Sequence, residues 1–454
     1  MPQPVRPFLP SGWAWNTVIP GRVSAASKIA ALANRNGTWI GVIATLVAVN
    51  MAIQNTVAQD WPQWRGKIGD NHAADDSQIV NRWNLETGEN ILWKTKIPGR
   101  GHSTPAIVGE EIFLTTAVAE DETQSLLKLD LRTGKILESI TLHRGTLPRR
   151  IHPNNSYASP SPAVADDAVY VSFHTNDSIV LSKVSTEGRI WWQQKVADFK
   201  PSMFQFGYGA SPIIEDDLVI VAAEYDGPGS GIYALNRSNG RRIWKISRPR
   251  NLNFSSPIVA EVAGRRQLLI AGADTITSYD PVTGKTIWSV DAGTEAHCGT
   301  VVWDRRRIVA SGGNPRSNTW CVAGDGVKGV LWKNNVKCYE QSPLAVDGFV
   351  YAVSDNGVGY CWRMTGGTEM WKQRLFRGPV SASPLLVGRQ IVAAGERGMV
   401  RIFSATPDRF EAIAEIQTGD SIFASPVVVD DRLYLRTGVG TGRERTEYLV
   451  SIGG

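Results

Sequence analysis

The chain has 454 residues, 42% hydrophobic and 20% charged, a balance that allows a packed core and excludes global disorder. Its 44 Gly, 24 Pro and 16 Trp point to many short elements, frequent turns and one recurring aromatic. The net charge of +5 sits mostly in residues 1–58, which hold Arg6, Arg22, Lys28 and Arg35 and no acid; the nearly neutral remainder has no electrostatic footprint for nucleic acid.

In chain order, the first feature is an apolar run at 38–53, TWIGVIATLVAVNMAI, behind that basic stretch and ahead of the polar QNTVAQD. The layout predicts a signal peptide over 1–58 cleaved near Ala58, or a signal anchor if the run is kept. Either outcome exports the rest of the chain, with membrane contact only through an uncleaved N-terminus. Residues 59–80 read as an N-terminal extension, and 81–454 carry a repeat.

The repeat opens on Ser-Pro, an apolar run, an acidic turn and a second apolar run. Clear copies are SPAVADDAVYV at Ser161, SPIIEDDLVIV at Ser211 and SPVVVDDRLYL at Ser425. Pro105, Pro162, Pro212, Pro257, Pro343, Pro384 and Pro426 mark seven units, and Thr300 stands in for Pro in an eighth, degenerate one, CGTVVWDRRRIVA. Each unit continues through a third strand, a turn with Gly and a fourth strand ending in Trp, as at Trp244, Trp288, Trp332 and Trp371. Four strands per unit predict an all-β, eight-bladed propeller. The last copy lacks its fourth strand, and LETGENILWKTKI at 85–97 supplies it, so an N-terminal strand completes the last blade and closes the ring. Blade one has Leu137 in place of Trp, blade seven has neither turn Gly nor Trp, and an insertion precedes blade two. The paired acids Asp166-Asp167, Asp216-Asp217 and Asp430-Asp431 fall at one recurring turn, which predicts turn residues and no convergent metal or acid–base site.

Cys298, Cys321, Cys338 and Cys361 recur with a 40-residue offset. In an exported chain this allows two disulfides, Cys298–Cys321 and Cys338–Cys361 being the leading pairing, with four free buried thiols as the alternative. Three residues before each Pro the chain is expected to enter its innermost strand. That ring includes His102, Phe254, His297 and Glu340, with Ser159, Gly209, Ser381 and Phe423 at the other blades, and is a candidate ligand site at a channel mouth. Tyr157, Phe206 and Tyr208 join Phe254 as a candidate aromatic contact surface. No residue is assigned a catalytic or metal-ligating role.

The S-P-x-x-x-D-D strand and the T-G-K-x-x-W end resemble the pyrroloquinoline-quinone-repeat propellers, and length and blade count resemble the outer-membrane assembly factor B type. DWPQWRG at 60–66 and the blade NNVKCYEQSPLAVDGFVYAVSDNGVGYCW resemble exported propellers of this superfamily in planctomycete bacteria. The resemblance implies a non-catalytic scaffold, periplasmic or attached to the envelope, monomeric, without cofactor and with envelope proteins as partners. The alternative within the superfamily is a quinoprotein oxidoreductase holding the quinone and calcium on the axis. Adjacent cysteines and a Cys-x-x-Cys-His haem site, found in many such enzymes, do not occur, and no Cys follows the apolar run to carry a lipid.

Overall fold

The computed structural model describes residues 60–454, and the expected signal peptide or anchor at 1–58 lies outside them. Eight antiparallel sheets of four strands each follow one another along the chain as the blades of a propeller. Seven blades are built from consecutive strands. The eighth takes its outer strand from Ile91–Ile97, which pairs with Thr446–Ile452 beside Arg432–Val439 and Val427–Val429. The predicted closure of the ring is therefore present, and it removes the one unpaired edge that the end of the repeat leaves.

The Ser-Pro signature has a physical cause. The Ser161 hydroxyl accepts the backbone N–H of Thr104 one blade back, Ser211 accepts that of Ser161, and Ser256 that of Ser211. Ser342, Ser383 and Ser425 do the same for Thr300, Ser342 and Ser383. These buried bonds, at 2.9–3.0 Å, pass a backbone donor from blade to blade where no sheet partner exists. The chain of bonds breaks twice. At Thr300 the hydroxyl is engaged by Trp64 Nε1 at 2.9 Å. At the closing seam Arg436 of blade eight donates to Ser103 Oγ and Thr115 O, both at 2.9 Å, while Glu447 holds its charge.

The Trp and the turn Gly of the repeat are two halves of one contact. Trp93 Nε1 donates to Leu131 O of the next blade at 3.0 Å, and Trp332 Nε1 to Met364 O at 2.8 Å. Gly134 and Gly367 lie beneath those indoles with φ of 68° and 71°, and a Cβ there would come within 2.4 and 2.7 Å of the ring. Glycine is thus required twice, for its left-handed backbone and for the indole above it. Blade seven, which lacks both, presents Phe410 to Trp371 instead, with ring centroids 5.6 Å apart. Asp166, Asp216 and Asp430 occupy the recurring turn with φ of 53°, 49° and 51°, as turn residues do.

The segment 60–80 is integral to the ring. Trp61 pairs with Ile107 of blade one, and the Pro62 carbonyl accepts from Val164 of blade two at 2.7 Å. Gln63 Oε1 accepts from the Ile214 N–H of blade three, and Gly69 fits against Ile258 of blade four. Trp64 reaches blade five, Arg65 donates to Pro343 O of blade six, and Asn71 to Pro384 O of blade seven. Gln78 N–H ends the series on Asp431 of blade eight. A segment that touches all eight blades in turn lies against the inner strands at one end of the channel and, with Trp64 lining the channel, forms a plug there. Arg65 is fully buried within it, donating also to Gly69 O and Asp70 O at 3.0 Å; desolvation lowers its pKa to about 10 against the opposing pull of Asp70.

The expected disulfides are not formed: Cys298, Cys321, Cys338 and Cys361 are all free. The 40-residue offset aligns the third strands of blades five and six, where Cys321 faces Val309 and Cys361 faces Tyr351. It does not align the first strands, because the blade-five hairpin is longer, so Cys298 and Cys338 occupy different places in their blades. Burial pushes the thiols of Cys321, Cys338 and Cys361 up to about 12, keeping them protonated.

Candidate functional site

The plug leaves the channel open at its other end as a cavity of about 310 Å³. Trp64 lines it from the plug, and every blade contributes at least one residue where its chain enters the inner strand. His102, Ser159, Gly209 and Phe254 come from blades one to four. Glu340, Ser381 and Phe423 come from blades six to eight. Blade five contributes Cys298 in place of the expected His297.

His297 is a correction to the expected ring. It is fully buried behind the wall, accepting the Thr294 N–H at Nε2 (2.9 Å) and facing Ser311 O with Nδ1 (3.1 Å). Its partners fix the proton on Nδ1, and burial lowers its pKa to about 4. Blade five keeps the register of the others: its Thr300 N–H bonds to Ser342 as the Ser342 N–H bonds to Ser383, so Thr300-Val301 stands for Ser-Pro and Cys298 takes the place that Glu340 has in blade six. Tyr208 is likewise not a contact residue: it is buried, and its hydroxyl donates to Ala222 O at 2.9 Å. Tyr157 packs beside the core of blades one and two, with its carbonyl accepting from Gln124. Both tyrosines line a separate minute void beside His174, outside the main cavity.

Two loops build the rim on the side of blades two and three. His152 meets Phe206 edge-on at 5.4 Å, and Phe206 stacks on Phe204 at 5.4 Å and approaches Phe254 at 6.3 Å. Asn155 Nδ2 donates to Phe206 O at 2.6 Å, tying the loops together. Asp226 accepts from the Ser202 N–H and hydroxyl and from the Met203 N–H at 2.6–3.0 Å. Desolvation alone would raise the Asp226 pKa, but these bonds outweigh it and lower it. The loop tip so held exposes Met203 at 70%, Phe204 at 45% and Phe206 at 37%. Sequence reasoning missed Trp64, Tyr339, Cys298 and His152. Trp64 had a signal in DWPQWRG, and His152 in the insertion before blade two.

The charges of the cavity are unevenly placed. Glu340 projects into it, accessible to water yet ringed by protein, so desolvation raises its pKa, opposed by the Ser381 hydroxyl and assisted by Glu396 and Asp355. On the blade-one side His102 stacks on Phe423 at 4.5 Å, and Arg100 Nη2 lies 3.5 Å from His102 Nε2. Desolvation, then Arg100, Arg436 and Arg445, drive the His102 pKa well below its ordinary value. Arginine only donates, so neutral His102 accepts at Nε2 and carries its proton on Nδ1.

A family model described as outer membrane protein assembly factor BamB matches residues 72–202, 155–373 and 322–409. The chain belongs to that family. BamB of Bordetella pertussis is 22% identical over 355 residues, covering 74% of this chain and 81% of that protein. BamB of Yersinia pestis is 21% identical over 379 residues, covering 77% and 87%. The crystal structure of BamB from Moraxella catarrhalis shares the fold at a TM-score of 0.55 and 15% identity, over 79% of this chain and 96% of that one. The quinohemoprotein alcohol dehydrogenase of Comamonas testosteroni matches at 0.57 and 14% identity, over 89% and 82%. The two likenesses are of one size and concern the fold alone, so the choice between a BamB-type role and an oxidoreductase rests on the site. The cavity does not fit the quinone–calcium pair. Among the described residues, no Arg or Lys lines it to face a tricarboxylate quinone, and no three His, Cys, Asp or Glu converge as metal ligands.

Proposed function

We propose that this BamB-type propeller is an exported, non-catalytic scaffold of the cell envelope that binds partner proteins of outer-membrane assembly through the rim of its open channel end. It works without quinone or calcium. The observation that carries the reading is the apolar tip Met203-Phe204, which stays exposed while Asp226 and Asn155 hold its loop in one conformation. A pre-ordered apolar patch loses little conformational entropy on association, which is how interface anchors gain affinity. Membership of a family described as outer membrane protein assembly factors supports the choice of partner class.

The test is the double variant Met203→Ser/Phe204→Ser at native expression level, with co-purified outer-membrane assembly proteins quantified. Loss of those proteins, with circular dichroism and melting unchanged, is expected. Unchanged recovery contradicts the assignment of the rim. Calorimetric titration of the purified chain with pyrroloquinoline quinone and calcium is expected to show no binding; tight binding with dye-linked alcohol oxidation would overturn the non-catalytic reading.

A further inference from the structure

We propose that the open cavity is a binding site for a small organic cation, an amine or amidine on a flat apolar body, with its charge at Glu340 and its body between the aromatic walls. The site is independent of the rim contact proposed above.

One end of the channel is closed by the plug, so the space above Trp64 is a blind pocket of about 310 Å³, at the lower end of the range of about 300–1,000 Å³ typical of small-molecule sites. Its walls are flat rings: Phe254 and Phe206 on the side of blades three and four, and the Phe423–His102 stack on the side of blades eight and one. Surfaces of this kind favour a planar body, and ring faces attract a cation.

The sign of the charge follows from the lining. Among the described residues, Glu340 is the one carboxylate that lines the cavity, and no lysine or arginine lines it. Behind Glu340 stand two further acids. Glu396 accepts from the Ser381 hydroxyl at 2.5 Å, and Asp355 is paired with Lys337 at 3.3 Å. A cation beside Glu340 relieves this crowding of like charge, and an anion aggravates it. The opposite wall fixes orientation. Arg100 lies behind His102 and within 5.7 Å of the Phe423 ring centroid, so positive charge is excluded from that side. The Nδ1–H of neutral His102 is left to donate to an acceptor on the ligand's uncharged end.

A charge series of one shape tests this. Benzamidine, benzamide and benzoate are titrated calorimetrically into the full chain at pH 8. Benzamidine is expected to bind at least tenfold more tightly than benzamide, with benzoate weakest. Glu340→Gln is expected to bring benzamidine and benzamide within threefold of each other without changing the melting temperature. Phe254→Ala is expected to weaken both alike. Arg100→Gln is expected to strengthen benzamidine binding a few-fold. Lowering the pH is expected to weaken benzamidine as Glu340 protonates, with Glu396, Asp355, Lys337, Arg100 and the two cavity histidines setting the midpoint. Benzoate binding as well as benzamidine, a tenfold preference that survives in Glu340→Gln, or no benzamidine binding at millimolar concentration each overturns the proposal.

Discussion

The two ends of the channel are built from the same eight inner strands and meet opposite fates. At one end a segment of about twenty residues engages all eight blades, and even a fully buried arginine finds three backbone carbonyls. At the other, a carboxylate, a thiol, two imidazoles and several aromatic rings line a space that none of the described residues fills. The repeat satisfies itself around the ring but not along the axis. Whatever covers the ends has to come from outside the repeat, and the described residues supply such a cover for one end.

The comparison breaks most easily at the plug. Removing residues 60–78 takes away the buried Trp61 and Arg65 and strips contacts from all eight blades, at a cost of about 5 kcal/mol or more by chemical denaturation. Arg65→Leu alone is expected to cost about 2–4 kcal/mol, since three carbonyls lose a charged donor. Phe204→Ser at the open end is expected to stay within about 0.5 kcal/mol. Equal losses at the two ends would dissolve the distinction.

Acid is expected to strike the open end. His174 and His297 are buried, and desolvation lowers both to about 4 from an ordinary 6.5. His174 lies beneath the rim loops, beside Ile151, Tyr157 and Tyr208, with neither ring nitrogen hydrogen-bonded. A base whose folded pKa is depressed binds its proton more readily when unfolded. Stability is therefore full above pH 6.5 and is lost as pH falls from 6.5 towards 4, by about 3 kcal/mol for each histidine. Denaturant midpoints between pH 8 and 4 check the slope, and His174→Phe is expected to flatten it.

Between the ends, the periphery of the blades gives an internal control. Gly134→Ala places a Cβ within 2.4 Å of Trp93 at a φ of 68° and is expected to cost about 2–3 kcal/mol. Gly88→Ala, with φ of 81° and open space around it, is expected to cost about 1 kcal/mol. The smallest contrast lies in the serines. Ser211→Ala removes the buried acceptor of the Ser161 N–H and is expected to cost about 1 kcal/mol, whereas Ser381→Ala, at the water-accessible cavity wall, is expected to be near neutral in urea melts.

The ring was legible because each of its signals has a local cause that recurs: the Ser-Pro entry, the acidic turn, the glycine under the indole. Even the missing fourth strand of blade eight was readable from Trp93 and Gly88. The plug was not legible as such, since Trp61 to Gln78 match no repeat and their partners are spread over the whole chain. His297 failed for a related reason: Thr300 was aligned with the Pro of the repeat, whereas its N–H bond to Ser342 gives it the place of the Ser, so the ring position three residues before the Pro place, Val301, is Cys298. The cysteine periodicity misled because an offset can be true for one strand of a blade and false for another. Tyr208 shows that an aromatic beside an insertion belongs as readily to the core as to the surface.

A structural plugged end and a partner-binding open end are told apart most directly by a photo-crosslinking residue placed at either of two exposed apolar positions of the full chain in its native envelope. One is Phe204 at the open rim, and the other is Ile68, 62% exposed in the plug segment. Adducts with outer-membrane assembly proteins from position 204 and none from 68 are the predicted result. Adducts from 68 and none from 204 would contradict it.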